Sequence, residues 1–376
     1  MLSGIKMANP NNHLINEVLY RLNVGSEIDL ELLRRAFDTI LTDNESNERD
    51  TQLGSLLTGL MVKGPTVNEI VTLLESSFSL DGFSPYERRK IELPNQEKIV
   101  GAIGSGKKGY KTMNISTPAL LIAASMDVYT AKPVSSSTNS LTGSADLLRR
   151  VGMNIDLSTD EMEEVIKKTK FGAFCIENII PKFDEVYGGK FYVPHVLSFG
   201  LAALVSPVQF DNLIYGLAHP NVETSIEVLL RFGIRDAIVV STTHDNIHYL
   251  DEMGVYGTTK LVGIQNGRVG KTIYFRPTEE LGLPRYTPEQ IAQGESIEQN
   301  IRYCIDVLNG KGEKAREDII CINAGTVLYL AGKAEDLKEG YLKAKEVVKT
   351  GKPLEKLIEV VDASGGDKRM IEGYLR

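Results

Sequence analysis

Apolar residues in the first part of the chain recur every three or four positions, which is the spacing of one face of an α-helix. This pattern predicts helices over residues 16–22, 28–41, 50–62 and 67–77. Asp29 stands near the start of the second helix, and Thr66 is placed to cap the fourth, because its hydroxyl can accept a backbone N–H there. Residues 81–94 are polar and contain prolines, so we predict a linker over this range.

Beyond the predicted linker, short apolar runs alternate with helical stretches. We predict strands over residues 98–103, 128–131, 211–217, 236–240, 260–265 and 272–275. We predict helices over residues 118–125, 144–151, 160–169, 219–232, 287–292, 296–309, 315–331 and 334–350. Ser144 and Ser158 are the expected caps of the second and third of these helices. Strands that alternate with helices are typical of an α/β domain with a mostly parallel central sheet.

Composition narrows the class of protein without indicating a function. Of the 376 residues, 42% are hydrophobic and 24% are charged, which is typical of a globular protein. The net charge of −8 argues against nucleic acid as the main partner. The three cysteines, Cys175, Cys304 and Cys321, have no metal-ligand spacing, and no signal peptide or apolar run of transmembrane length appears. We therefore expect a cytoplasmic protein without a membrane partner.

The strongest chemical signal is the loop between the first predicted strand and the next helix. It contains glycines at positions 104, 106 and 109. It ends in polar side chains directly before the helix, namely Asn114, Ser116 and Thr117. Glycines allow the backbone to approach an anion, and a helix N-terminus adds partial positive charge, so the pattern indicates a phosphate site. The spacing matches neither the dinucleotide nor the P-loop fingerprint, and a tight connection without a ligand is the alternative.

Two further patterns suit a phosphate-bearing ligand. Lys132 precedes a hydroxyl-rich loop over residues 135–146, which suits a pyrophosphate or a sugar phosphate; the alternative is a surface loop followed by a helix cap. Asp251 and Glu252 follow a predicted strand, and adjacent carboxylates at the carboxyl end of a parallel strand suit Mg²⁺. A solvated acidic pair is the alternative interpretation of these carboxylates.

His244 and His248 have the spacing of a zinc-binding pair on a helix. Asp245 and Asn246 predict a turn here instead. Two other interpretations therefore stay open, namely positioning of a ligand beside Asp251 and packing within the loop.

Motifs from nearly the whole chain occur in a recognisable order: Asp50-Thr-Gln-Leu-Gly54, Lys63-Gly-Pro-Thr66, Asn114-Ile-Ser-Thr117, Gly143-Ser-Ala-Asp146, Leu250-Asp-Glu252, Gly257-Thr-Thr259, Val307-Leu-Asn-Gly310 and Asn323-Ala324. In these motifs the chain resembles the anthranilate phosphoribosyltransferases and, more broadly, the family-3 glycosyltransferase fold that they share with pyrimidine nucleoside phosphorylases. The resemblance implies a small all-helical N-terminal domain, residues 1–91 with a contribution from about residues 170–204, beside a larger α/β domain, residues 92–376.

The resemblance also implies an activity. Phosphoribose would pass from phosphoribosyl pyrophosphate to a small aromatic acceptor with Mg²⁺ as the cofactor, in a homodimer formed through the helical domain. Anthranilate as the acceptor would imply a place in tryptophan biosynthesis. Loss of pyrophosphate leaves an oxocarbenium-like ribose, so stabilising the departing charge is the main chemical task, and no side chain is assigned as a catalytic group.

By the same resemblance, the polar motifs acquire roles. The residues implied to bind substrate are Gly104, Ser105, Lys108, Asn114, Ser116, Thr117, Lys132, Ser140, Gly143 and His195. The residues implied to bind the metal are Ser116, Asp251 and Glu252.

Departures from the family pattern lie in the predicted cleft. Lys108 stands where the family has an acidic residue, and Lys132-Pro-Val-Ser-Ser136 lacks the His and Asn that follow the family's lysine. The loop Asn139-Ser-Leu-Thr-Gly143 replaces a Ser-Ser-Lys-Ser-Gly loop. His195 aligns with the arginine that grips the anthranilate carboxylate, and a neutral imidazole does not bind a carboxylate bidentately. We therefore expect weak anthranilate binding and another aromatic or heteroaromatic acceptor.

Lys107, Lys108 and Lys111 have two interpretations, as point charges that bind phosphate or as a solvated basic turn. Two other functions also stay open. A nucleoside phosphorylase-like enzyme is disfavoured by Asn114-Ile-Ser-Thr117 together with Asp251 and Glu252. A non-catalytic paralogue that binds a phosphorylated ligand or single-stranded nucleic acid has the lysine run as its supporting feature.

Overall fold

The N-terminal region is helical, as its apolar periodicity predicts. The structure, a computed structural model, describes residues 12–43, 48–137 and 140–375. Residues 1–11 and 44–47 of the predicted helical domain, Thr138 and Asn139 of the predicted hydroxyl-rich loop, and Arg376 lie outside the described residues. The helices of this region are α1 (Asn12–Asn23), α2 (Leu30–Thr42), α3 (Arg49–Lys63) and α4 (Val67–Ser79).

The predicted caps of α2 and α4 are confirmed. Asp29 Oδ1 accepts a hydrogen bond from Leu32 N at 3.0 Å. Thr66 Oγ1 accepts from Glu69 N at 3.2 Å, and Glu69 Oε2 accepts from Thr66 N at 2.8 Å, which forms a reciprocal capping box. Lys63 Nζ lies 2.8 Å from Glu69 Oε1, so the turn between α3 and α4 is held by an ion pair as well.

The sheet is built from strands that follow the predicted apolar runs. The strands are β1 (Ile99–Gly104), β2 (Tyr129–Val134), β3 (Phe171–Cys175), β4 (Asn212–Gly216), β5 (Ala237–Thr243), β6 (Thr258–Gln265), β7 (Arg268–Val269) and β8 (Ile273–Phe275). Their order is β3-β2-β1-β4-β5-β6-β7, with β8 paired to β6. Neighbours from β3 to β5 are parallel, whereas β6, β7 and β8 pair in antiparallel fashion. The predicted α/β fold with a mostly parallel central sheet is confirmed.

The strand order creates a site for a ligand. The chain adds β2 and β3 on one side of β1, and β4 and β5 on the other side. The order therefore reverses between β1 and β4. In open α/β sheets, ligands bind outside the carboxyl ends of the strands at such a reversal.

Helices cover both the sheet and one another. The helices that follow α4 are α5 (Ser116–Ala124), α6 (Ser144–Arg150), α7 (Thr159–Thr169), α8 (Ile176–Ile179), α9 (Pro181–Tyr187), α10 (Leu201–Leu204), α11 (Val222–Arg231), α12 (Pro277–Glu280), α13 (Ile297–Leu308), α14 (Lys314–Leu330), α15 (Leu337–Val348), α16 (Lys352–Ala363) and α17 (Arg369–Glu372). Short 3₁₀ turns occur at Pro94–Gln96, Val196–Phe199 and Pro288–Ile291. Among the described residues, no helix is long and apolar enough to cross a membrane.

Helix α5 lies in the interior of the fold. It is buried from Thr117 to Ala124, because it packs between β2, α14 and α16. A helix that is apolar all round requires such complete cover. Its polar first residue, Ser116, is the end that faces the cleft described below.

The structure corrects several local predictions. Neither β3, which pairs in register with β2, nor α16 was predicted from the sequence. Ser144 was expected to cap α6, but it is the first helical residue; Gly143 precedes the helix, and its N–H donates to Asp146 Oδ2 at 2.8 Å. The predicted helix over residues 287–292 is a single 3₁₀ turn. Ser158 does cap α7, as expected.

The division into domains stays a prediction. Of the range of about 170–204, β3 belongs to the central sheet, whereas the turn Val196–Phe199 packs against α3 and α4. Arg89 of the predicted linker forms backbone hydrogen bonds with Pro207 and Gln209, which ties the linker to the segment that precedes β4.

Candidate active site

Two paired glycines make room for Asp251 at the centre of the site. Gly104 ends β1, Gly216 ends β4, and the two residues are partners in the register of these strands. A Cβ atom on Gly104 would lie 2.7 Å from Asp251 Cγ, and one on Gly216 would overlap the backbone carbonyl group of Asp251. Either approach is closer than packed atoms allow. Asp251 therefore occupies the crevice between β1 and β4 because both strands end in glycine.

The chain reaches this crevice by doubling back after β5. Leu250 exchanges backbone hydrogen bonds with Thr242 at 2.8 and 2.9 Å, which places the following residue, Asp251, over the strand ends. Gly106 N then donates to Asp251 Oδ2 at 2.7 Å. Gly106 has a φ of +70°, a conformation that glycine adopts without strain, so the loop after β1 turns back over the carboxylate.

Ser105 ties this loop to the sheet and does not line the cleft. Its N–H donates to Gly216 O at 2.8 Å, and its Oγ accepts from Ala218 N at 3.1 Å. The side chain is buried. The structure thus gives Ser105 a structural contact with β4, and its predicted role in substrate binding stays a prediction.

Lys132 connects β2 to the start of α5. Its Nζ donates to Ser116 Oγ at 2.8 Å and to Thr117 Oγ1 at 3.0 Å. Burial lowers the pKa of Lys132 to about 8. An ammonium group, two hydroxyls and the first turn of a nine-residue helix therefore meet at one point. Such a group of donors suits an anion.

Lys108 lies beside the two carboxylates. Its Nζ is 3.5 Å from Asp251 Oδ1 and 4.0 Å from Glu252 Oε1, and it donates to Thr112 Oγ1 at 2.9 Å. Burial raises the pKa of Glu252 to about 7, although the nearby ammonium groups of Lys108 and Lys132 favour its charged form. The acidic pair is buried, so it is not the solvated pair of the alternative interpretation.

These groups line one cleft with a volume of about 150 Å³. Most of the residues predicted from the sequence line it: Gly104, Lys108, Asn114, Ser116, Lys132, Ser140, Gly143, Asp251 and Glu252. Ser105, Thr117 and His195 do not. Asn114 Oδ1 and Asp251 Oδ1 are buried oxygen acceptors of cleft-lining residues, and neither has a hydrogen-bond partner among the described residues.

The sequence interpretation omitted some lining residues from the site, namely Lys107, Lys111, Thr112, Thr142 and Ser135 to Ser137. The sequence does contain features that indicate these residues, namely the lysine run and the hydroxyl-rich loop over residues 135–146. Lys107, Lys108 and Lys111 all line the cleft, and none of them is fully exposed, which disfavours a solvated basic turn.

His195 lies in an aromatic cluster outside the cleft. Its Nδ1 accepts a hydrogen bond from Leu197 N at 3.3 Å, and its Nε2 lies 2.8 Å from the hydroxyl of Tyr187. Lys107 Nζ donates to the same hydroxyl at 2.8 Å. Burial lowers the pKa of His195 well below its usual range, so the ring is neutral at pH 7. Both ring nitrogens are therefore engaged within the protein.

His244 and His248 belong to a turn, as predicted, and not to a helix. His248 Nδ1 lies 2.7 Å from Asp245 Oδ2, and the rings of both histidines contact Tyr110. Within the described ranges, no group of three or more His, Cys, Asp or Glu side chains is arranged to hold a metal ion. The structure thus favours packing of this loop over a zinc site.

Comparisons with known proteins agree with this geometry. Residues 96–354 match the model of the glycosyl transferase family, a/b domain. The chain is 28% identical over 351 residues to the anthranilate phosphoribosyltransferase of Haloarcula marismortui, covering 93% of this chain and 100% of that protein. It is 30% identical over 316 residues to the enzyme of that name from Streptococcus pneumoniae (strain Hungary19A-6), covering 82% and 88%.

Solved structures share the fold. Anthranilate phosphoribosyltransferase from Thermus thermophilus matches with a TM-score of 0.70 and 24% identity, over 93% of this chain and 99% of that one. The enzyme of that name from Saccharomyces cerevisiae, in complex with PRPP (phosphoribosyl pyrophosphate) and Mg, matches with a TM-score of 0.74 and 20% identity, over 94% and 98%.

Proposed function

The chain belongs to the glycosyl transferase family whose α/β domain its residues 96–354 match, and from this premise we propose that it is a phosphoribosyltransferase. The reaction is transfer of phosphoribose from phosphoribosyl pyrophosphate to an aromatic or heteroaromatic acceptor, with release of pyrophosphate. The family membership and the enzyme class, a pentosyltransferase, are those that the sequence predicts. The relatives at 28% and 30% identity carry the name of an enzyme with this chemistry.

One observation carries the proposal. Lys132 donates to the hydroxyls of Ser116 and Thr117 at the N-terminus of α5, and Lys132 and Ser116 line one cleft with Asp251 and Glu252 at the reversal of strand order. The anion donors and the carboxylates are contributed by segments far apart in the chain. A diphosphate with its metal is a ligand that uses both kinds of group at once.

The donors act on the leaving group. As the bond from ribose to pyrophosphate breaks, negative charge develops on the departing oxygen. Lys132, the Ser116 hydroxyl and the backbone N–H groups of Ser116 and Thr117 at the start of α5 are fixed before the reaction begins, so they stabilise this charge without reorganising. The acceptor nitrogen then needs only to be held against the anomeric carbon.

The residues at the cleft fit Mg²⁺. Asp251 Oδ1 is buried without a hydrogen-bond partner among the described residues, and Glu252 and Ser116 supply further hard oxygen ligands. Mg²⁺ is usually bound by one or two carboxylates together with substrate phosphates, so a pair of carboxylates is sufficient. When bound, the ion would neutralise charge on the pyrophosphate. Gly106 N–H, which donates to Asp251 Oδ2, orients the carboxylate for this task.

The acceptor proposed here is not anthranilate. His195, the residue that aligns with the carboxylate-binding arginine, is buried outside the cleft and has both ring nitrogens engaged. A neutral ring in this state does not bind a carboxylate. An aromatic or heteroaromatic nitrogen acceptor that lacks this requirement is therefore expected to react better.

Calorimetric titration with phosphoribosyl pyrophosphate and Mg²⁺ tests the proposal. We expect the wild type to bind and Ser116→Ala to bind at least about tenfold more weakly, because a donor to the anion and the partner of Lys132 are lost. Ser125→Ala, at the opposite end of the same helix, is the matched control and is expected to bind like the wild type. Absence of binding by the wild type would refute the proposal.

An acceptor screen that detects released pyrophosphate completes the test. Pyrophosphate release with a non-anthranilate acceptor supports the proposed reaction. Turnover of anthranilate at a rate equal to the best acceptor contradicts the argument from His195. Phosphate-dependent cleavage of a nucleoside, without pyrophosphate release, would instead assign the chain to the nucleoside phosphorylase reaction.

We also propose a homodimer formed through the helical domain. Large apolar side chains on α1, α3 and the turn after α1 are exposed, namely Tyr20 (70%), Val24 (73%) and Val62 (85%). Large apolar side chains that are this exposed are candidates for burial in an interface. Light scattering is expected to give twice the monomer mass for the wild type and for the control Ile247→Asp, and a smaller mass for Val62→Asp. A monomeric wild type contradicts this proposal.

A further inference from the structure

Lys108 already supplies a cation to the carboxylate pair of the cleft. Its Nζ lies 3.5 Å from Asp251 Oδ1, the buried oxygen without a hydrogen-bond partner among the described residues, and 4.0 Å from Glu252 Oε1. The side chains of Lys108, Asp251 and Glu252 are 20%, 1% and 9% exposed. An ammonium group this close to two buried carboxylates interacts strongly with them, because little water screens the charges.

One contact holds the ammonium group of Lys108, and another is made to its backbone carbonyl. Lys108 Nζ donates to Thr112 Oγ1 at 2.9 Å, and Lys111 Nζ lies 3.4 Å from Lys108 O. On the opposite side of the pair, Asp251 Oδ2 is fixed by Gly106 N. The remaining oxygen, Oδ1, faces Lys108. The oxygen that is free to bind a cation is therefore the one nearest to the ammonium group.

We propose that Lys108 is a tethered counterion that competes with a divalent cation for Asp251 and Glu252. The inference rests on the proposed function in that it takes this pair to be the metal site. A divalent ion binds the pair only when the lysine side chain moves aside, for example toward the phosphates of a bound substrate. Without substrate, the protein has low affinity for divalent ions. A divalent ion at the two carboxylates would either lie beside the ammonium group, which repels it, or displace the lysine side chain.

Titration with Mn²⁺ alone tests the competition. The electron paramagnetic resonance signal of free Mn²⁺ gives the bound fraction in the absence of phosphoribosyl pyrophosphate and acceptor, so no activity is required. We expect weak binding by the wild type and at least about tenfold tighter binding by Lys108→Gln, since a unit charge beside the ion is removed. Glu252→Gln in the Lys108→Gln background is expected to abolish this gain.

Lys111→Gln is the matched control. Lys111 lines the same cleft and carries the same charge, but it makes no ion pair with either carboxylate within the described residues. We expect it to change the Mn²⁺ affinity much less than Lys108→Gln does. Lys108→Arg keeps a cation on the loop, so we expect its Mn²⁺ affinity to equal that of the wild type. This variant controls for the effect of replacing the lysine side chain.

Three outcomes overturn the inference. These are tight Mn²⁺ binding by the wild type that Glu252→Gln abolishes, an unchanged affinity in Lys108→Gln, and an equal gain in Lys111→Gln. The first outcome requires only the wild type and Glu252→Gln, so it can overturn the inference even if Lys108→Gln fails to fold. Failure of the proposed function appears separately, as absence of phosphoribosyl pyrophosphate binding and of pyrophosphate release.

Discussion

Replacement of Gly104 by alanine tests whether the paired glycines create the site. The new Cβ atom would lie 2.7 Å from Asp251 Cγ and 3.2 Å from Asp251 O. The neighbouring backbone cannot yield easily, because Gly104 is paired with Gly216 and the next residue, Ser105, is tied to β4. Asp251 must therefore move out of the crevice.

Two contributions set the size of the effect. Forcing a methyl group into a packed region costs about 1–3 kcal/mol. Displacing the carboxylate from Gly106 N, which donates to it at 2.7 Å, loses a hydrogen bond to a charged group, worth about 1.5–3 kcal/mol. We expect Gly104→Ala to lower the free energy of unfolding by about 2.5–6 kcal/mol. Binding of phosphoribosyl pyrophosphate with Mg²⁺ should be lost in the fraction that remains folded.

Urea unfolding followed by circular dichroism measures the stability, and calorimetry at low temperature measures the binding. Gly54→Ala is the matched control, because Gly54 lies inside α3 and no atom lies within 4 Å of its added Cβ. It is expected to raise stability by about 0.5–1 kcal/mol through helix propensity. The reasoning is refuted if Gly104→Ala is as stable as the wild type and binds phosphoribosyl pyrophosphate equally well.

Three further predictions concern groups outside the carboxylate pair. Burial lowers the pKa of Lys107 from 10.5 to about 8, so between these pH values the unfolded chain binds more protons and the stability of the wild type rises with pH. In urea unfolding, the stability of Lys107→Met relative to the wild type should therefore fall across this pH range, and a constant difference would contradict the prediction. Tyr187→Phe removes the oxygen that Lys107 Nζ and His195 Nε2 share, so it should cost about 1–3 kcal/mol in thermal unfolding. Phosphoribosyl pyrophosphate binding should be unchanged, and weaker binding at unchanged stability would contradict a purely structural role of this hydroxyl. Thr66→Ala should lower the free energy of unfolding by about 1 kcal/mol, because the capping box is lost, whereas Thr51→Ala at an exposed position should lower it by only a few tenths of a kcal/mol. Equal effects in urea unfolding would contradict the assigned cap.

The order of the main elements could be predicted from the sequence because it depends on local periodicity. Helices α2 and α4 begin where Asp29 and Thr66 supply a cap, and their apolar positions repeat at helical spacing. The buried strand β1 is a continuous apolar run, as expected for a strand covered on both faces. These features involve residues close in the chain, so no knowledge of distant contacts is needed.

Local patterns were insufficient where neighbours in space decide the outcome. The segment Phe171–Cys175 is short and contains a glycine, and it becomes β3 because the edge of β2 is available to pair with it. Gly143 rather than Ser144 precedes α6, since Asp146 Oδ2 accepts the Gly143 N–H and Ser144 Oγ lies 3.3 Å from Ser135 N instead. In each case the choice depends on a partner that the local sequence does not reveal.

By itself, the sequence determined which chemical groups are available: a glycine-rich loop, hydroxyls before an apolar helix, lysines and an adjacent acidic pair. Only the tertiary structure decided which of them meet. It brings Lys108 against Asp251 and Glu252, and it places His195 outside the cleft beside Tyr187. The physical reason is that Asp251 enters the crevice through space left by Gly104 and Gly216, which are separate in the chain and become partners only when β1 and β4 pair.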